Sequence, residues 1–272
     1  MLYTEHAATA VRRPGRAMNV DFGKTAEDYC RHRVGFPPAL FERLIGFGVG
    51  ERGQKVLDLG TGTGALARGF AKRGCEVVGL DPSRALIEEA KRLDAAEEVR
   101  VDYVEATAER TKLDESHFDV VSVGQAWLWF DSHKAIREIK RVIKPAGTLV
   151  IAHFDWLPLP GNAVELTEKL IESYNPEWSL GGGSGMHPDA VTDVRRAGFS
   201  GLETFSFDLL VPYTHEDWRG RVRASAGVKA SLAPDEVARF DEKLRRGLSE
   251  KFPDEPLQLP HCVWALIARA PG

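Results

Sequence analysis

The residues with the clearest chemical meaning sit in one short run, Val56-Leu57-Asp58-Leu59-Gly60-Thr61-Gly62-Thr63-Gly64-Ala65, with a second acid, Asp81, at the end of the next apolar stretch. Glycines between a strand and a helix accept positive φ and let a ligand approach the backbone, and the helix start that follows offers unpaired amides. Such a loop suits a small polar ligand. Its spacing sets it apart from two other nucleotide loops. The dinucleotide fingerprint places its third glycine three positions after the second, whereas Gly64 comes two after Gly62. A phosphate loop ends in Gly-Lys followed by Ser or Thr, and this one does not.

The elements that must position this loop follow from the pattern around it. Short apolar runs at 55–59, 76–80, 99–104, 118–123 and 148–153 read as strands, and helical stretches separate them near 65–72, 83–93, 131–143 and 162–173. Strands alternating with helices at this spacing mean βαβ units, a parallel sheet and right-handed crossovers. The apolar runs 77–80 and 120–123 suit strands buried on both faces. Further helices are expected at 188–197, 216–224 and 235–248, and further strands at 202–211 and 262–268. The fold expected is therefore an α/β doubly wound, mostly parallel, seven-stranded Rossmann-like sheet whose last strand is antiparallel. Helices at 25–33 and from Pro37-Pro38 onward would cover it at the N-terminal side. Residues 1–20 are expected to be a mobile tail, 21–155 the cofactor-binding core, and 156–272 a lid loop, a helical cap and the last two strands. Pro158, Pro160, Gly161, Pro176 and the run Gly181-Gly182-Gly183-Ser184-Gly185 break regular structure there, as a lid or a binding loop does.

Composition narrows the function. Among 272 residues, 36 lysines and arginines face 40 acids, a formal net charge of -4 that offers no overall positive field to a polyphosphate. Nucleic acid is a disfavoured partner. No apolar run approaches the roughly 20 residues that span a bilayer, and the first 20 residues lack a secretory apolar core, so no membrane partner and a cytoplasmic setting are expected. Three widely spaced cysteines, Cys30, Cys75 and Cys262, fit neither a disulfide framework nor a CxxC metal site, and no metal is expected. The oligomeric reading stays open between monomer and homodimer.

With Asp58, the glycine trio and Asp81, the sequence resembles the class I S-adenosylmethionine-dependent methyltransferases over roughly residues 21–154. The resemblance implies that S-adenosyl-L-methionine is bound and S-adenosyl-L-homocysteine released. It implies Asp58 near the cofactor's amino group, the backbone of Gly60, Thr61 and Gly62 beside its methionine part, and Asp81, followed by Pro82 and Ser83, on both ribose hydroxyls. A carboxylate's two oxygens suit that last task. Ala106-Thr107-Ala108-Glu109 is similar to the family's Gly-x-Ala-Glu segment beside the adenine, with Thr107 where an acid is common. Gly124-Gln125-Ala126-Trp127-Leu128-Trp129-Phe130 resembles the Gln-Ala-x-His-Trp-Phe stretch of the small-molecule branch. That implies Gln125 near the methionine moiety; Leu128 stands at the usual histidine position, so no catalytic histidine carries over there. Tyr29 and Arg33 match a Tyr-x-x-x-Arg pair that closes over the cofactor in this branch, or else belong to an ordinary amphipathic helix.

The implied activity is methyl transfer to a small-molecule acceptor by in-line displacement, and a general base is needed only for a poor nucleophile. His153 and Asp155 are the candidate catalytic residues, because open α/β sheets place ligands at the carboxyl ends of their strands. His187 and His215 are further base candidates. Trp127, Trp129, Trp156 and His187 are the candidate acceptor-pocket residues, with core packing the other reading of the tryptophans. The run Trp218-Arg219-Gly220-Arg221-Val222-Arg223 reads either as cations for an anionic acceptor or as a solvated helix face. Two other functions remain: a cofactor-binding protein without transfer activity, and an NAD-dependent oxidoreductase, against which the glycine spacing speaks.

Overall fold

The computed structural model describes residues 34–272. The expected tail at 1–20, the helix at 25–33, and Tyr29 and Arg33 with it, lie outside the described residues. The elements run α1 (Pro38–Ile45), β1 (Lys55–Leu59), α2 (Ala65–Ala71), β2 (Glu76–Asp81), α3 (Arg84–Ala96), β3 (Asp102–Glu105), β4 (Phe118–Gly124), α4 (Ser132–Val142), β5 (Ile143–Trp156), α5 (Ala163–Tyr174), α6 (Pro188–Arg196), β6 (Ser200–Tyr213), α7 (His215–Arg223), α8 (Pro234–Lys251) and β7 (Leu257–Arg269).

One seven-stranded sheet has the order β3-β2-β1-β4-β5-β7-β6. The first five strands are parallel, and β7 runs antiparallel to both β5 and β6. The strand order reverses between β1 and β4, the switch point at which the loops leaving two strands part and open a crevice. Gly60 and Gln125 leave the sheet on either side of that crevice.

Strand alternation divides the core in two. Val56, Val120, Val150 and Ala152 pack with α1, α2, α5 and α8 on one face, while Leu57, Leu59, Val121, Leu149 and Ile151 pack with α4 and α6 on the other. Several helices start where side chains satisfy the first free amides: Ser83, Asp131, Asn162 and Thr214 each accept a backbone N–H from their own first turn. No helix among the described residues is long and apolar enough to cross a membrane.

The strands differ from expectation mainly at their ends. The third is shorter, Asp102–Glu105, because the chain enters it from the α3 turn only after Arg100. The fifth and the last two run longer, since β7 extends antiparallel pairing from Thr148 opposite Arg269 to Trp156 opposite His261. Helices α7 and α8, between β6 and β7, pack on each other and on α5. Trp218 of α7 is fully buried and donates its Nε1–H to Thr167 Oγ1 at 2.9 Å.

Candidate active site

The glycine loop is held from beneath by buried polar contacts. Asp58, 1% exposed, accepts from Thr61 Oγ1 at 2.6 Å with one carboxylate oxygen and from Ser122 Oγ at 2.8 Å with the other. The Thr61 amide reaches across to Leu80 O of β2 at 2.9 Å. Under the α2 start, Arg68 Nη1 donates to Thr63 O at 2.8 Å and to Asp94 Oδ1 at 2.9 Å, and the Tyr103 hydroxyl donates to Asp94 Oδ2 at 2.8 Å. Asp81, at the tip of β2, accepts from the Gly62 amide and the Ser83 amide, both at 2.9 Å, one on each oxygen. Each of its oxygens keeps a further acceptor site.

Two glycines show why the loop is built this way. Gly60 has φ +63°, and a Cβ there would lie 2.7 Å from Ala126 Cβ; at Gly62, φ +55°, a Cβ would meet nothing within 4 Å. The loop thus packs tightly on one side and leaves backbone bare on the other, a cradle that fits the methionine part of the cofactor. Gly60→Ala is expected to destabilise the protein by about 2 to 5 kcal/mol, from left-handed backbone strain and overpacking together. A urea unfolding curve checks it, and an unchanged midpoint would contradict the geometry.

Burial pushes the Asp58 carboxyl up to about 6, against the lowering effect of the Thr61 and Ser122 hydrogen bonds. A carboxyl raised in the folded state adds stability below its unfolded value and loses it as the pH rises through about 6. Ionised Asp58 therefore costs roughly 3 kcal/mol at neutral pH, a cost that a cationic amino group beside it would offset. Binding of S-adenosylmethionine is accordingly expected to weaken about tenfold per pH unit below about 6. Calorimetry between pH 5 and pH 7 reads this, and Asp58→Asn should flatten the profile.

Two cavities open at the carboxyl ends of the strands. The first is lined by Phe36, Asp58, Gly60, Thr61, Gly124 and Gln125, among others. The second, about 560 Å³, is walled by Trp127, Trp129, Trp156, Trp178, Met186 and other residues of the segments after β4 and β5. Gln125 lines both cavities. Its φ is +55°, and its Nε2 donates to Phe154 O and, at 3.2 Å, to Asp155 Oδ1.

Beside Gln125 lie His153, Asp155 and His187. Alternation along β5 puts His153 and Asp155 on one face. His187 Nε2 sits 2.8 Å from Asp155 Oδ2, while His153 Nδ1 is 3.9 Å from the same oxygen. The two imidazoles stack, with centroids 3.4 Å apart and planes 18° from parallel. Burial raises the Asp155 carboxyl, but the His187 hydrogen bond and the charges of the two histidines outweigh it and hold the carboxyl below the usual range. Asp155 is therefore an ionised acceptor that orients His187.

The candidate residues fall into three groups. Asp58, Gly60, Thr61 and Gln125 line the first cavity; Asp81 reaches the loop through Gly62 N, with Pro82 and Ser83 following it into α3. Thr107, Ala108 and Glu109 follow β3, whose end is tied to β2 by Ala106 N to Asp81 O at 3.3 Å. Glu109 accepts the Asp131 amide at 3.0 Å. Trp127, Trp129, Trp156, His153, Asp155 and His187 all line the second cavity. Trp127 also belongs to the core, 6% exposed with Nε1 3.4 Å from Asp193 Oδ2, so it packs in the core and lines the cavity at once. His153 is only 3% exposed, and the His187 side chain is the more open of the stacked pair.

His215 lies away from the cavities, its Nε2 2.8 Å from Phe252 O, and serves the α7 start. Of the arginine run, Arg219 and Arg223 both bind Asp241, while Arg221 lies 4.7 Å over the Trp156 ring and lines the second cavity. The helix is thus neither a row of substrate cations nor a solvated face. Sequence reasoning missed Glu168 and Trp178. Glu168 is 5% exposed and accepts from Trp156 Nε1 and Gly182 N, each at 2.7 Å. Its signal was an acid inside the helix stripe Val164, Thr167 and Ile171, which is buried.

This sheet order is that of the Rossmann-like methyltransferase fold, shared with a solved putative type II methyltransferase from Anaeromyxobacter dehalogenans at a TM-score of 0.58 and 25% identity, covering 88% of this chain and 97% of that one. Residues 57–151 match the family described as methyltransferase domain. An uncharacterized methyltransferase of Mycobacterium tuberculosis is 37% identical over 134 residues, covering 49% of this chain and 52% of that protein. The malonyl-[acyl-carrier protein] O-methyltransferase of Enterobacter lignolyticus is 35% identical over 138 residues, with the same 49% and 52% coverage. The chain spans about half the length of the curated relatives it matches first, 52% in each case. Among solved structures, Haemonchus contortus phosphoethanolamine N-methyltransferase 2, bound to S-adenosylhomocysteine, shares the fold at a TM-score of 0.54 and 19% identity, covering 92% of this chain and 57% of that one.

Proposed function

We propose that the chain transfers a methyl group from S-adenosylmethionine to a small-molecule acceptor. The carrying observation is Gln125, the residue common to a glycine-loop cavity and a larger aromatic cavity that holds a His-Asp-His cluster. The bound cofactor supplies an electrophilic methyl group on a sulfonium. Asp81 would orient its ribose, and Asp58 would stabilise its amino group from beneath the loop. Gln125, tied to Asp155, would fix the boundary between the two cavities. Asp155 would hold the His187 ring, and His187 would take a proton from a nucleophile that needs deprotonation; orientation and exclusion of water supply the rest.

Calorimetric titration with S-adenosylmethionine, S-adenosylhomocysteine and NAD tests the reading. Micromolar binding of the two adenosyl ligands is expected, with none for NAD. Binding of NAD alone, or of none of the three, would overturn it.

A further inference from the structure

Carboxylates outnumber guanidinium groups in the wall of the second cavity, which also holds the imidazoles of His153 and His187. Asp155, Glu168, Asp189 and Asp193 line it against a single guanidinium, Arg221, among the described lining residues. That guanidinium lies 4.7 Å over the Trp156 ring. Asp155 is the carboxylate beside Gln125, at the boundary with the cofactor cavity. Indole rings of Trp127, Trp129 and Trp178 make up much of the remaining wall. An anionic acceptor would have to enter against four carboxylates with one cation to receive it. A cation meets the opposite situation: carboxylate acceptors for its N–H donors and aromatic faces whose quadrupole attracts it.

Resting on the methyltransferase reading above, we propose that the acceptor is an aromatic or similarly apolar amine, bound as its ammonium with the nitrogen at Asp155. His187 Nε2 lies 2.8 Å from Asp155 Oδ2. With Nε2–H donated to that carboxylate, Nδ1 is the basic nitrogen. Nδ1, on the ring edge away from Asp155, takes one proton from the ammonium through a bridging water and frees the nitrogen lone pair. The lone pair forms the N–CH₃ bond as the C–S bond of S-adenosylmethionine breaks, and the electron pair of that bond stays on sulfur. The products are the N-methylammonium, S-adenosylhomocysteine and one proton, which leaves His187 for solvent.

Three isosteric probes separate charge from shape: tryptamine, tryptophol and indole-3-acetate, each titrated into protein saturated with S-adenosylhomocysteine. Tryptamine is expected to bind at least tenfold more tightly than either analogue. Asp155→Asn should weaken tryptamine at least tenfold, with tryptophol and S-adenosylhomocysteine changed less than threefold. Mass spectrometry with S-adenosylmethionine and tryptamine should show a gain of one methyl group on nitrogen. Indole-3-acetate binding as well as or better than tryptamine, or no preference among the three, overturns the amine assignment while the methyltransferase reading stands. Failure to bind S-adenosylhomocysteine at all overturns both. If Asp155→Asn does not fold, the ranking of the three probes on the unmodified protein decides alone.

Discussion

Asp81→Ala is expected to weaken S-adenosylmethionine binding by about 10²- to 10⁴-fold, or roughly 3 to 6 kcal/mol for two hydrogen bonds to a charged acceptor. The carboxylate has a double task. Its oxygens already hold the Gly62 and Ser83 amides at 2.9 Å, and each has one remaining site for a ribose hydroxyl. Removing it frees both the ligand and the loop. Burial raises this carboxyl, only partly countered by the two amides, so its ionised form does not stabilise the free protein. Loss of the acceptor for the two amides should still lower the thermal midpoint by a few degrees, so the affinity is read by direct titration of the folded variant. Asp81→Asn, which keeps one acceptor oxygen, should fall between. An unaltered Kd for Asp81→Ala would remove this residue from the cofactor site.

His187→Ala should lower kcat by about 10²- to 10⁴-fold, the usual contribution of a positioned general base. The Kd for S-adenosylmethionine should stay within about threefold, because His187 lines the second cavity and not the first. Asp155→Asn should reproduce most of the loss, since the carboxylate 2.8 Å from Nε2 selects the tautomer and holds the ring. His153→Phe would keep an aromatic partner for the stack and should cost much less, as His153 is 3% exposed and 3.9 Å from Asp155. The reverse order, with His153→Phe inactive and His187→Ala active, would move the base to His153.

Much of this site was legible in the chain because its elements are local. The acid, three glycines and following helix of residues 58–65 need only the turn from one strand into one helix, and Asp81 needs only the end of the next strand. Alternation alone separates Val56 from Leu57 and Leu59, and so fixes the two faces of the sheet. The strand ends were less legible, since β5 and β7 extend each other through pairing between residues over 100 positions apart, such as Thr148 with Arg269.

The second cavity was hardest to see. His187 meets Asp155 from a separate segment, Glu168 comes from α5 and Arg221 from α7, and nothing in their spacing ties them together. The arginine run shows the limit: three like side chains on one helix part ways because Asp241 of α8 takes two and Trp156 of β5 faces the third. The sequence by itself determined the doubly wound sheet, the glycine loop and the two acids beside it, since these follow from hydrophobic period and the conformational freedom of glycine. Only the tertiary structure decided which histidine stands open to the second cavity and which charged groups line it, because both depend on side chains from distant elements meeting in space.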